Sequence, residues 1–362
     1  MNESQYALLR LNLTPNLGRV TLFKLHQKFS DFQCALKASA TEWQEAGVPI
    51  KLHRQVPAEN DQIVQTAVTQ TISQNIRMIS YWDDEYPTLL RNIHDPPALL
   101  YLRGQLPKQD CFAIVGSRRA TAGGFATTES LANTLAKHNL CIVSGMARGI
   151  DSAAHRGALA AGGRTIAVLG CGIDHVYPPE NKRLHEEILQ ENAIISEHPP
   201  GTPPLAGHFP GRNRIISGLS HGVLIVEATE RSGSLITGDF ALEQGRDLFA
   251  IPGALHHKNS KGTNRLLKEG AQMVTEANDI LQSLWPGQVP VQEQHKQKSF
   301  IQQLSDAAAK VYRLLDFEPL HGDEIARKCG LTPMELSAIL LDLELQGGIK
   351  ALPGHHYIRS RL

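Results

Sequence analysis

Residues 111–151 read CFAIVGSRRATAGGFATTESLANTLAKHNLCIVSGMARGID, and the alternation inside this stretch decides the fold. Cys111–Val115 is a short, continuous apolar run of the kind that suits a strand buried on both faces of a parallel sheet. Phe125, Thr128, Leu131, Ala132 and Leu135 then recur at three- and four-residue steps, which places one apolar stripe on a helix. Leu140–Val143 is a second strand run, and Asp151 is placed to cap a helix over Ser152–Ala161. Strand, helix, strand, helix is the signature of a doubly wound α/β sheet.

Further apolar runs extend the pattern at Thr165–Leu169, Ala193–Ser196, Gly222–Val226 and Leu248–Ile251, with helices expected over Ser234–Gln244 and Asn264–Lys268. Upstream, residues 1–75 form a separate helical segment. Its glycine turns at Asn16–Val20 and Glu45–Val48 suggest a helix-hairpin-helix or sterile-alpha-motif-like bundle. Residues 76–285 then form a Rossmann-like domain with a mostly parallel sheet. Pro286–Ser299 is polar and reads as a linker. Residues 300–362 carry helical patterns at Asp306–Leu315 and Gly322–Lys328, and a third helix from Thr332 to about Gln346. There Thr332, Pro333 and Glu335 spell a capping box. A Pro353-Gly354 turn between Ile349–Leu352 and Tyr357–Arg359 adds a hairpin, giving a winged helix.

Composition narrows the function. The 362 residues hold 36 basic and 36 acidic side chains, so no global field steers the chain to nucleic acid or membrane, and any anion site is local. Five cysteines (34, 111, 141, 171 and 329) include no C-x-x-C pair, and several lie in apolar runs. Reduced thiols of that kind suit the cytoplasm. No leader-like segment opens the chain, and no apolar run approaches a membrane span.

In a doubly wound sheet, ligands gather beyond the carboxyl ends of the strands. Those ends carry Gly116-Ser117-Arg118-Arg119, Ser144-Gly145 through Arg148-Gly149, the loop ending His208–Arg214, Glu227 through Arg231-Ser232-Gly233-Ser234, and Pro252-Gly253. Glycines admit close backbone approach, helix N-termini offer amide donors, and arginines supply charge, so the rim is an anion site. Between Glu197 and Glu227 no acidic residue neutralises Arg212 or Arg214 locally, which favours phosphate contact by these two with Arg118 and Arg148. Phe209 admits two readings, a base-stacking platform or a buried loop anchor.

Several chemistries drop out. GSRRATAGG is not a dinucleotide fingerprint, no acidic residue follows the second strand, and no P-loop is present, so no cofactor is expected. Gly218-Leu-Ser220-His-Gly222 matches G-x-S-x-G, but a helix-like Arg214–Leu219 precedes it and a strand follows, the reverse of a nucleophile elbow. Asp151 and His155 stand one helical turn apart without a third ligand, so a cap with a local ion pair is favoured over a metal. The third helix of the winged-helix unit carries Glu335, Asp342 and Glu344 and no Lys or Arg, which favours protein interaction over DNA reading.

The motifs as a set resemble the DNA-processing protein A (DprA, or Smf) family. The resemblance rests on Tyr86-Pro87, Asp95–Tyr101, Ile114–Arg118, Ser144–Asp151, Gly170–Asp174 with Tyr177-Pro178, Phe209–Ile216, Val226–Ser234 and Pro252 through Asn264. It implies a non-enzymatic protein that binds single-stranded DNA during natural transformation, protects incoming strands, loads the RecA recombinase and works as a homodimer. It implies DNA contacts by the turn at 116–118 and by Arg212-Asn213-Arg214, supports Phe209 as a base contact, and adds Lys182 as a phosphate contact. The candidate DNA-binding set is therefore Gly116, Ser117, Arg118, Gly145, Arg148, Lys182, Phe209, Arg212, Asn213, Arg214, Ser232, Gly233 and Ser234. Where some relatives carry a basic residue before the phenylalanine, this chain has His208, which implies weaker or more pH-dependent binding. Two alternatives stand beside this reading. One is a phosphoribohydrolase-like nucleotide enzyme with Glu227 as its carboxylate, and the other an adaptor scaffold whose rim only stabilises the fold.

Overall fold

The computed structural model describes residues 1–286, 304–316 and 318–360. Six helices open the chain: Glu3–Asn12, Arg19–Phe29, Phe32–Lys37, Ala40–Glu45, Ile50–His53 and Gln62–Ser73. Side chains stop them locally. Asn2 and Ser39 each form a capping box, and Asp31 and Asp61 cap two more starts. Trp43 lies buried among them and donates its indole N–H to the Ala35 carbonyl at 2.7 Å. The two glycine turns fall between the first and second helices and between the fourth and fifth.

A nine-stranded sheet follows. All six expected strands are present, with ends shifted by one residue at Cys141–Ser144, Gly222–Ile225 and Asp247–Ala250. They pair in parallel in the order 193–196, 165–169, 141–144, 111–115, 222–225, 247–250. Three more strands flank them: Arg77–Ser80 and Leu99–Gly104 pair antiparallel at one side, and Gln272–Met273 pairs in parallel at the other. The chain reverses its direction of travel across the sheet between 111–115 and 222–225, which makes that junction the topological switch point. Separate apolar clusters cover the two faces. One face of the central sheet buries Val143, Val168 and Ile225 and the other Phe112, Ile142 and Phe249.

Two local expectations are corrected. Asp151 is not the cap of its helix, which runs Ile150–Ala160 from Gly149. Gly149 has φ +78°, and a Cβ there would lie 2.1 Å from the Ser117 carbonyl oxygen. The close crossing needs glycine and starts the helix early. Asp151, the second residue of the helix, is buried and accepts from the Ala147 N–H at 3.3 Å. Second, the loop ending at Arg214 gives way to a helix over His208–Gly218. Pro210 and Gly211 read as breakers, yet proline is tolerated in a first turn, where N–H groups lack intrahelical acceptors.

The expected linker Pro286–Ser299 lies, beyond Pro286, outside the described residues. Past it, helices Asp306–Leu314, Gly322–Cys329 and Pro333–Leu345 pack around Tyr312, Ile325, Leu340 and Leu343. A small sheet pairs Leu320–His321 and Ile349–Leu352 on either side of His356–Arg359, completing a winged helix. The Thr332–Glu335 capping box is formed.

His155 gives this fold an acid limit. Its ring is fully buried on helix 150–160, with Nδ1 2.7 Å from the Thr165 hydroxyl. That hydroxyl spends its own proton on the Ile142 carbonyl, so His155 donates from Nδ1, and its buried Nε2 has no partner among the described residues. Burial, helped by Arg212, lowers its pKa to about 3. The unfolded chain therefore takes up a proton near pH 6.5 that the native state refuses, and stability falls as pH drops below that value. The expected loss from this residue is about 2 kcal/mol between pH 7 and pH 5. Denaturant titrations at both pH values, with His155→Gln losing that increment, check it.

Candidate functional site

At the switch point a cleft of about 830 Å³ opens over the carboxyl ends of the strands. Its walls come from three connections. The turn after 111–115 contributes Gly116 to Arg119, helix 208–218 contributes Phe209, Arg212 and Asn213, and the start of helix 233–243 contributes Ser232, Gly233 and Ser234. Lys258 and Asn259 close one side. Four cationic side chains line the space, Arg118, Arg119, Arg212 and Lys258, against the single carboxylate Asp151. The cleft is therefore a local cationic site on a neutral chain.

Arg212 is its fixed point. Although charged, it is only 5% exposed. Nη1 donates to the Val168 carbonyl at 2.5 Å. The guanidinium passes through space left by Gly145, where a Cβ would sit 2.0 Å from Nη1. Burial lowers the Arg212 pKa to about 10, with Asp151 opposing the shift, so the group stays charged at neutral pH. Burial likewise raises the Asp151 pKa, and Arg212 opposes that change. Arg212 Nε is buried without a partner among the described residues. Such a donor is costly unless an acceptor reaches it.

Phe209 stands between the two readings of it. It is half-buried, with one face over Gly170 and the ring 5.5 Å from that of Tyr177. The Arg118 and Arg212 guanidinium carbons lie 5.5 and 6.0 Å from its centroid, within cation–π range. Opposite, Ser232 caps helix 233–243 by accepting from the Ser234 N–H, and the Asn213 amide donates to the Gly233 carbonyl at 3.2 Å. The positive end of an eleven-residue helix thus faces the cleft, with the Ser234 and Leu235 N–H groups already engaged by Ser232. Ser117 is spent locally: its N–H donates to the Glu227 carbonyl and its Oγ accepts from the Arg119 N–H.

Four of the candidate residues lie outside the cleft lining. Gly145 acts from behind, as the gap for Arg212. Arg148 is exposed and pairs with Glu180 at 2.5 Å. Lys182 is exposed at the start of helix 182–191. Arg214 points inward and is held by Glu197 at 2.7 Å and Asp95 at 3.1 Å, so the expectation that it lacks a counter-charge is overturned. The partners lie 17 and 119 positions away along the chain. Asp95 also pairs with Arg19 at the start of the second helix, which ties the amino-terminal bundle to helix 208–218. His208 stacks on His198 at 4.2 Å and is absent from the cleft lining. Burial, reinforced by His208 and Arg214, lowers the His198 pKa to about 4.

Other candidates are accounted for by packing. Glu227 accepts from the Thr121 N–H and hydroxyl and from the Asn259 amide, so both oxygens are engaged. Ser220 is buried and donates to the Ile216 carbonyl. Asp151 and His155 do not meet as an ion pair, since His155 turns to Thr165. Among the described residues no cluster of three potential metal ligands occurs, and no helix is long and apolar enough to cross a membrane. Sequence reasoning left Arg119 and Lys258 out of the candidate set. Arg119 sits in the quoted turn, and Lys258 lies a few residues past Pro252-Gly253, so reading the whole connection after the last strand would have found it.

Known proteins resemble this chain in sequence and fold. The family model described as DNA recombination-mediator protein A matches residues 77–285, and that of the DprA winged helix domain matches residues 296–355. Protein Smf from Synechocystis is 32% identical over 99% of this chain and 99% of its own length. The X-ray structure of DNA processing protein A from Streptococcus pneumoniae is 37% identical, with a TM-score of 0.70 over 78% of this chain and 99% of that one. DNA processing protein A from Helicobacter pylori, studied for its single-stranded DNA binding mode, is 33% identical. It aligns with a TM-score of 0.52 over 58% of this chain and 96% of its own.

The two kinds of arginine are separable by stability. Arg214→Ala leaves Glu197 without its cation beside a buried vacancy, while Asp95 keeps Arg19, and is expected to cost about 2 kcal/mol. Arg118→Ala, on an exposed side chain, is expected to change stability by less than about 0.5 kcal/mol. Chemical denaturation of both variants checks the contrast.

Proposed function

The chain belongs to the DNA recombination-mediator protein A family (DprA, or Smf), and from that premise we propose that its cleft binds single-stranded DNA irrespective of sequence. The observation that carries the reading is the buried Arg212 guanidinium in the cleft wall, bonded to Val168 and kept charged beside Asp151, with three further cations lining the same space. A phosphate is the anion such a cluster suits. Exposed Arg118, Arg119 and Lys258 and the positive end of helix 233–243 complete a cradle for backbone phosphates, which carry no sequence information. Phe209, flanked by two guanidiniums, offers a face to an unstacked base and so favours a single strand over a duplex.

Gly116, Ser117, Arg118, Phe209, Arg212, Asn213 and Ser232–Ser234 form the contact surface in this reading. Arg148 follows the cleft residue Ala147, and Lys182 lies five positions after Tyr177, so both receive the strand where it leaves. Gly145 and Arg214 hold the helix that presents the others. As the family resemblance implies, the bound strand is protected and handed to a RecA recombinase during natural transformation, and the protein acts as a homodimer without catalysis. Residues 1–75, 76–285 and 300–362 are its three modules, joined before the last by residues 286–299. The occupied Glu227 carboxylate supports this over a nucleotide enzyme. The exposure of Arg118 speaks against a rim that serves only stability.

The test is a titration of labelled single strand and of its duplex across a salt series. Single-strand preference is expected, with a log–log salt slope of about −0.7 per phosphate neutralised. Arg118→Ala should weaken binding and remove about 0.7 from that slope. Phe209→Ala should cost about 1–3 kcal/mol at little change in slope. Equal affinity for duplex, or variants indistinguishable from the parent, would contradict the reading. Turnover of a nucleoside monophosphate abolished by Glu227→Gln would favour the enzyme.

A further inference from the structure

The helix Pro333–Leu345 has two apolar faces, and the winged-helix core uses one of them. Leu336, Leu340 and Leu343 point inward. On the opposite side Met334, Leu341 and Leu345 are 84, 59 and 79% exposed, with Ala338 exposed between them. Steps of four, three and four residues put these side chains on one stripe, about 16 Å long at 1.5 Å per residue. Leaving three large apolar side chains of one helix in water serves no purpose within the fold, and a contiguous patch of this kind marks an interaction surface.

Charge decides what the stripe receives. Glu335 and Asp342 flank it on one side and Glu344 on the other, and the helix has no Lys or Arg. Two of these carboxylates are held in place: Glu335 accepts from the Thr332 N–H and hydroxyl, and Glu344 accepts from the Ala351 N–H. Phosphate in a DNA groove would meet like charge on both edges. A second copy packed stripe to stripe would set these carboxylates against their own kind.

We infer that this face docks a basic amphipathic segment of a partner protein, with apolar residues at three- and four-residue spacing bordered by Lys or Arg. The inference is independent of the cleft, because it rests on a different module and needs no DNA. It gives the carboxy-terminal unit a recruiting role and separates that role from strand binding.

The experiment uses the full chain and a labelled synthetic helical peptide carrying leucines at that spacing between lysines. A partner peptide with glutamates in place of the lysines is the control. Binding of the lysine peptide alone is expected, weakening with salt, and falling at least tenfold in Leu341→Asp/Leu345→Asp with an unchanged thermal midpoint. Should that variant lose its fold, Asp342→Lys reads the same contact through charge and should also weaken binding. Equal binding of both peptides, or of parent and variants, overturns the inference. So does self-association in sedimentation, or duplex DNA binding, that the same variants abolish, since the stripe would then belong to a second copy or to nucleic acid.

Discussion

A buried arginine cannot be placed by hydrophobicity, and Arg212 imposes its needs on everything around it. Its guanidinium must find acceptors inside the protein or forfeit its charge. The Val168 carbonyl comes from strand 165–169, the Asp151 carboxylate from helix 150–160, and the passage from the missing side chain at Gly145, just past strand 141–144. One βαβ unit, strand 141–144 through strand 165–169, is thereby held to helix 208–218 at one point. The cost of burying Asp151 is offset by the same cation, so each group makes the other tolerable.

The helix that carries Arg212 is held at a second place. Arg214, two residues on, turns the other way and meets Asp95 and Glu197, while Asp95 also pairs with Arg19. Helix 208–218 therefore has one arginine aimed at the cleft and one locked toward the amino-terminal helices. This explains how Phe209 can be half-exposed and still well positioned: its helix is anchored by ion pairs one turn away and its ring rests on Gly170.

Legibility followed the range of the forces involved. The six central strands were readable because burial on both faces demands continuous apolar runs, and these stand out in any window. The edge strands Arg77–Ser80 and Gln272–Met273 were not, since a short edge strand needs neither alternation nor a long apolar run. Helix 208–218 was hidden because Pro210 and Gly211 look like loop residues unless the helix start is already known. The rim as a whole was visible in the glycines and arginines after each strand. The division of labour within it was not: Arg214 is neutralised by residues 17 and 119 positions away, and no local window reports that. Asp151, read as a cap, is a buried counter-charge for the same reason.

The central claim is that Arg212 acts through its fixed geometry and not through its charge alone. Arg212→Lys keeps the charge but replaces a rigid planar fork, one arm of which is fixed on Val168, with a compact ammonium on a flexible stem. Single-strand affinity of that variant, measured beside its thermal midpoint, is the most direct test. A folded variant binding at least about tenfold more weakly, about 1.4 kcal/mol, is the expected result. A folded variant binding as tightly as the parent would contradict the account.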